Sequence, residues 1–271
     1  MSTDAELLSI ANATGFPLQI ALQNAVEANC PDWRVHHREH AWRNLEDGRS
    51  GFIDVVLEHK STSDSVVVEC KRVRESCWLF LGHSGRDTPR RNCKAWVTQH
   101  RQNGLSHFGW TDITVDPPTP EAQFCAVRGQ STNDKSTYLE RIASELVSST
   151  EALACEERER PMENHDQTRI YLNVIVTTAV LQFAAFSAES LNLADGLLSP
   201  DTNFQELPSV RVRKQFSMRK LRLTEDDWFY SDKVDSKRED TVFVVSARHF
   251  IEFLNSLDVS KVNTGGVRGF S

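Results

Sequence analysis

The chain has 271 residues, 39% hydrophobic and 25% charged, enough apolar material for one large core and too varied for a fibrous or low-complexity protein. A net charge of −7 taken alone argues against a nucleic-acid binder, but the charge is uneven. Residues 71 to 101 carry eight Lys or Arg against Glu75 and Asp87, +6 locally, leaving −13 for the remainder.

Residues 3–13 and 17–29 read as two helices broken at Gly15-Phe16-Pro17, with Pro17 suited to a first helical turn. Leu18, Ala21, Leu22, Ala25 and Val26 make one apolar stripe, and Glu27 falls opposite it. Trp33 to Trp42 follows as a strand in which Trp33, Val35, His37, Glu39 and Ala41 share one face. His36, Glu39 and His40 also spell H-x-x-E-H, a zinc-peptidase pattern that needs a helix. No helical apolar stripe accompanies it, so a polar edge strand is expected there.

After a turn at 45–50 come two Val- and Ile-rich runs, Phe52–Leu57 and Val66–Cys70, joined by a polar turn and read as a hairpin. Asp54 interrupts the first run, and a carboxylate there costs several kcal/mol unless a partner or metal balances it. Hairpin pairing brings Asp54 near Glu69, with Lys71 on the same face as Glu69. Two carboxylates beside an ammonium suit a divalent ion with oxygen preference, such as Mg2+, and metal-assisted phosphodiester hydrolysis.

Ile53-Asp54, fourteen intervening residues, then Glu69-Cys70-Lys71 resembles the PD-(D/E)xK phosphodiesterase superfamily, with Ile53 in place of the motif's Pro. The resemblance covers roughly residues 17–128. It implies an α/β, restriction-endonuclease-like core, a central mixed β-sheet flanked by helices. It implies further that Asp54 and Glu69 hold Mg2+ (or Mn2+), joined by the backbone carbonyl of Cys70. Lys71 would orient the attacking water, help deprotonate it and stabilise charge on the phosphate. Relatives often carry one more acid on the helix before the sheet. Glu27 occupies that helix but on its solvated side, so Glu39 is the alternative third acid.

Cys77–Leu81 is a short apolar extension, and 82–92 is a Gly- and Arg-rich loop. Residues 94–102 read as a helix. Arg86, Arg90, Arg91 and Lys94, with Gln99, are the candidate nucleic-acid contacts, the alternative being a solvated charged face. A Q-x-x-x-Y pattern starting at Gln99 fails, since Asn103 stands at the Tyr position. Asp112–Pro120 reads as a Pro-rich connector, 124–127 as a strand, and 136–159 as a helix with Tyr138, Leu139, Ile142, Leu146 and Leu153 inward.

Ile170 to Ala188 carries no charge and reads as one or two buried strands rather than a membrane span. Val210–Leu223 holds six bases and no acid; Arg211 and Arg213 alternate with Val210 and Val212, as on a strand with one wet face, which would be either a second nucleic-acid surface or a side set opposite acids such as Glu225 to Asp227. Thr241–Ser246 is a strand leading into a helix at 248–257 with Phe250, Phe253 and Leu254 inward.

Phosphate-binding loops and serine-hydrolase elbows are absent. Six cysteines without a C-x-x-C pair and an acidic N-terminus point to a reduced, cytoplasmic protein. The expectation is one domain over 1–271, its core at about 17–128 and its C-terminal strands and helix an elaboration. Its expected function is a nuclease acting on DNA rather than RNA, an endonuclease before an exonuclease, as in prokaryotic antiviral defence effectors. Self-association or a sensor partner would accompany it, and no membrane. The alternative is a non-catalytic nucleic-acid-binding or scaffold subunit of the same fold.

Overall fold

A computed structural model of the chain describes residues 3–45, 48–73, 77–83, 90–101, 104–127, 137–160, 168–187, 189, 191–216 and 238–260. Helices α1 (Asp4–Ala13) and α3 (Tyr138–Glu156) begin alike: Thr3 and Thr137 accept the backbone N–H of Glu6 and Glu140, and each Glu reaches back to its Thr N–H. Helix α2 (Phe16–Asn29) has Pro17 in its first turn, and α4 (Phe250–Ser256) is short.

In chain order the strands are β1 (Trp33–Arg43), β2 (Ser50–His59), β3 (Ser65–Lys71), β4 (Cys77–His83), β5 (Arg90–Arg101), β6 (Gly104–Thr119), β7 (Glu121–Ala122), β8 (Phe124–Val127), β9 (Thr168–Thr177), β10 (Val180–Phe186), β11 (Gln205–Glu206), β12 (Ser209–Lys214), β13 (Asp240–Ser246) and β14 (Asp258–Ser260). Ten of them form one mixed sheet with the path β1-β2-β3-β9-β13-β12-β7. The sheet forks at β9. Val174–Thr177 pair with β13 in parallel, while Thr168–Tyr171 pair antiparallel with β5, which carries β6 and then β14. A second sheet runs β11-β10-β4-β8.

All ten residues of β9 are buried, and apart from Arg169 none of them is charged. On one face Val56, Val67 and Ile175 pack with Ile142, Leu146 and Leu153 of α3. On the other, Val55, Val68 and Val174 pack with Leu22 and Val26 of α2 and with Phe250 and Leu254 of α4. The chain is thus a mixed α/β protein with a sheet between helices. β9, which lies beyond residue 128, pairs in parallel with β3 from Ser65/Tyr171 to Lys71/Thr177.

Three local expectations are corrected. Residues 94–101, read as helical, belong to strand β5, with Cys93, Ala95 and Val97 on one face of the sheet and Trp96 on the other. Asp112–Thr119 is the end of β6 rather than a connector. Pro117 and Pro118 fall where the ladder to β5 jumps from Asn92↔Thr114 to Arg90↔Thr119, so no strand hydrogen bond is asked of them. Arg211, placed on a wet face, is completely buried, because β7 and β12 lie side by side and Glu121 comes within 3.4 Å of its guanidinium. Residues 217–223 of the basic run lie outside the described residues. Among those described, no helix is long and apolar enough to cross a membrane.

Candidate active site

Strands β2 and β3 pair antiparallel from Glu58/Ser65 to Val55/Val68. One further step in that register sets Asp54 opposite Glu69. Ile53 packs with Val56 and Val67 rather than with Val55, so strict alternation breaks at Asp54. Its carboxylate turns toward β3, where Oδ2 accepts the Cys70 backbone N–H at 2.7 Å. The Lys71 ammonium donates to Glu69 Oε1. Beyond Lys71 the chain is pinned to the turn after β9, since Thr178 N–H donates to the Lys71 carbonyl at 3.2 Å. The three motif side chains therefore converge at the end of one hairpin.

The site concentrates negative charge. Burial pushes the Asp54 carboxyl above its ordinary range, against the opposing pull of the Cys70 N–H and of Lys71, and the Glu39 carboxylate adds to the rise. Burial, then the charge of Asp54, lifts Glu69 from 4.5 to about 7. Burial disfavours a charged Lys71, but Glu69 and Asp54 outweigh it and hold the ammonium more firmly protonated than usual. Among the described residues no hydrogen bond reaches Asp54 Oδ1 or Glu69 Oε2. Two neighbouring carboxylates with raised proton affinity are what a hard divalent ion satisfies, so this donor set fits Mg2+. The Cys70 carbonyl oxygen lies 3.9 Å from where a Cβ on Gly15, at the start of α2, would stand.

Glu39, the alternative third acid, lies between the pairs Arg38↔Val55 and His40↔Ile53, opposite Asp54. It is exposed and holds φ +47, a left-handed conformation that few non-glycine residues adopt within a strand. Glu27 is also exposed and pairs with Arg38. One acid was missed: Glu145 of α3 bears on Glu69 and lines the same cleft, of about 330 Å³, with Trp42, Arg49, Phe52 and Leu146. Nothing local in the sequence ties a mid-helix Glu to a strand seventy-odd residues earlier.

Of the expected nucleic-acid contacts, the two whose side chains are described, Lys94 and Gln99, lie away from this site. Arg86 lies outside the described residues, as do the side chains of Arg90 and Arg91, which open β5. Lys94 is buried, with Nζ 2.7 Å from Asp112 Oδ2. Gln99 donates to Thr168 Oγ1 at 3.3 Å, at the start of β9, whereas Lys71 pairs with Thr177 at its end. Those nine positions correspond to about 30 Å at 3.3 Å per residue.

His36, Glu39 and His40 stand on β1, and a strand cannot set H-x-x-E-H as a zinc peptidase requires. His36 instead meets His37 and Glu157, whose ligand atoms lie within 4.8 Å of one another. Comparison with protein-family models, curated proteins and solved structures finds no match for this chain.

Proposed function

We propose that the protein is a metal-dependent nuclease of the PD-(D/E)xK type, hydrolysing phosphodiester bonds of DNA. The observation that carries this is the convergence of Asp54, Glu69 and Lys71 at the end of the β2–β3 hairpin, where Glu69 lines the cleft it shares with Glu145. The succession α2, β1–β2–β3, α3 and β9, with the sheet between helices, supports a restriction-endonuclease-like core.

Asp54 and Glu69 would hold Mg2+ or Mn2+, with the Cys70 carbonyl within the same strand end. When bound, the ion supplies charge neutralisation at the phosphate and makes water easier to deprotonate. Lys71, kept protonated by its two acids, donates a hydrogen bond to a phosphoryl oxygen and stabilises the charge that develops there. Glu69 would act as a ligand of that ion, which favours its carboxylate ionised. Self-association would bring two such sites to the two strands of a duplex, and a sensor partner would fit a defence effector.

The test is plasmid cleavage with Mg2+, with and without EDTA, by the wild type and by Asp54→Ala and Lys71→Ala. Cutting that EDTA stops and both variants abolish, with their folds intact, supports the reading. Equal cutting by the variants refutes it, and a wild type that binds DNA without cutting it points to a scaffold subunit.

A further inference from the structure

The geometry points to a second metal site, distinct from the acid pair, in which His36, His37 and Glu157 bind Zn2+ or a similar borderline divalent ion. Its foundation is a bulge. Val35 pairs with Leu57 and His37 with Val56, so His36 is an extra residue on β1 with no counterpart on β2. Neighbours on a regular strand point to opposite faces, whereas a bulge re-aims one of them. Here it brings both imidazoles to one carboxylate oxygen. His36 Nε2 lies 2.9 Å and His37 Nε2 3.4 Å from Glu157 Oε1.

The surroundings orient these ligands. Glu58, buried and bonded by Arg34 and Arg160, has a carboxylate oxygen 3.1 Å from His36 Nδ1. An entering ion would take the place of the proton shared between His36 Nε2 and Glu157, leaving the ring's other proton on Nδ1 toward Glu58, the carboxylate–histidine arrangement typical behind a metal ligand. The Tyr171 hydroxyl donates to Glu157 Oε2 at 2.7 Å, fixing the carboxylate so that Oε1 faces the histidines. Ligand bonds of about 2.0–2.1 Å around a tetrahedral ion place donor atoms about 3.3 Å apart, close to the separations found.

Arg160 already places a cation there. Its guanidinium is 3.0 Å from His36 Nε2 and 3.5 Å from Glu157 Oε1. An entering ion displaces that contact, while Arg160 keeps Glu58 Oε1 at 3.0 Å as its other partner. Two imidazoles and one carboxylate suit Zn2+, not the oxygen-only chemistry of Mg2+. The ion would clamp the end of α3 to β1, and the inference does not depend on the nuclease reading.

The experiment is calorimetric titration of chelator-stripped full-length protein with Zn2+, repeated with Co2+ under visible spectroscopy. We expect one equivalent bound, and binding about tenfold tighter in Arg160→Gln, where the competing cation is gone. His37→Ala and His37→Gln should lose affinity by more than about 100-fold. Asp54→Asn should bind as the wild type does. Co2+ should give ligand-field bands without the intense thiolate charge transfer that the exposed Cys155 would produce. The inference fails if neither wild type nor Arg160→Gln binds. Retention of binding by both folded His37 variants, or a thiolate band, overturns it equally.

Discussion

The Asp54 carboxylate accepts the backbone N–H of Cys70 at 2.7 Å, at the point where the β2–β3 ladder stops. A side chain thus takes the place of the next strand carbonyl. That satisfies a buried donor and sets the Asp54 carboxylate close enough to Glu69 for its charge to be felt there. An acid in mid-hairpin is compatible with the fold because the strand end itself supplies one of its partners.

This arrangement predicts a pH-dependent stability that metal should remove. Glu69 is raised from 4.5 to about 7, so the folded state holds its proton more tightly than the unfolded chain does. Its contribution is fully present below pH 4.5 and is lost as pH rises through about 7, on the order of 2 kcal/mol. Thermal melting from pH 4.5 to 8 should show this decline without metal. Saturating Mg2+ should flatten it, since the ion favours both carboxylates ionised. A decline equal in Glu69→Gln would assign it to another group.

Lys94→Ala should act on stability and not on DNA affinity. Its ammonium is buried against Asp112, so the variant should lose about 1–3 kcal/mol in urea unfolding. The salt dependence of DNA binding should keep its slope, because that slope counts cations lying on phosphates. A slope reduced by about one would put Lys94 at the nucleic acid after all.

Arg211→Met is expected to cost about 3–5 kcal/mol, because it leaves the buried Glu121 without the guanidinium beside it. The same variant also removes the hydrogen bond to the Asn92 carbonyl, 2.5 Å long. Denaturant midpoints of Arg211→Met and of the double variant Arg211→Met/Glu121→Gln should separate the two losses, the double variant recovering part of the first.

Tyr171→Phe should sensitise the protein to acid. Burial pushes Glu157 upward, yet hydrogen bonds from His36 and Tyr171 and the charge of Arg169 win, lowering it from 4.5 to about 2. The stability this group contributes is present above pH 4.5 and is lost as pH falls toward 2. Without the hydroxyl, Glu157 should protonate at higher pH, shifting acid unfolding upward, with a loss of about 1–3 kcal/mol at neutral pH. Circular dichroism across an acid titration reads both.

Much of the core is a local property of the chain. The Val- and Ile-rich runs at 52–57 and 66–70 dictate two strands, and the polar turn between them closes the hairpin. That pairing is what carries Asp54 to Glu69 and Lys71. The stripe Leu139, Ile142, Leu146 and Leu153 likewise fixes the buried side of α3 before anything is known of what it covers.

Partnerships between remote segments are of another kind. Lys94 and Gln99 read as surface helix because the chain nearby contains nothing to neutralise or cover them; Asp112 on β6 and Thr168 on β9 do so. Arg211 reads as exposed for the same reason, until Glu121 is brought alongside it on β7. His36 and Glu157 are 121 residues apart and meet only because a bulge in β1 lies under the end of α3. Periodicity reports which side of an element is apolar. Only packing decides which distant charge a buried polar group will find, because that free energy exists only once both have left water.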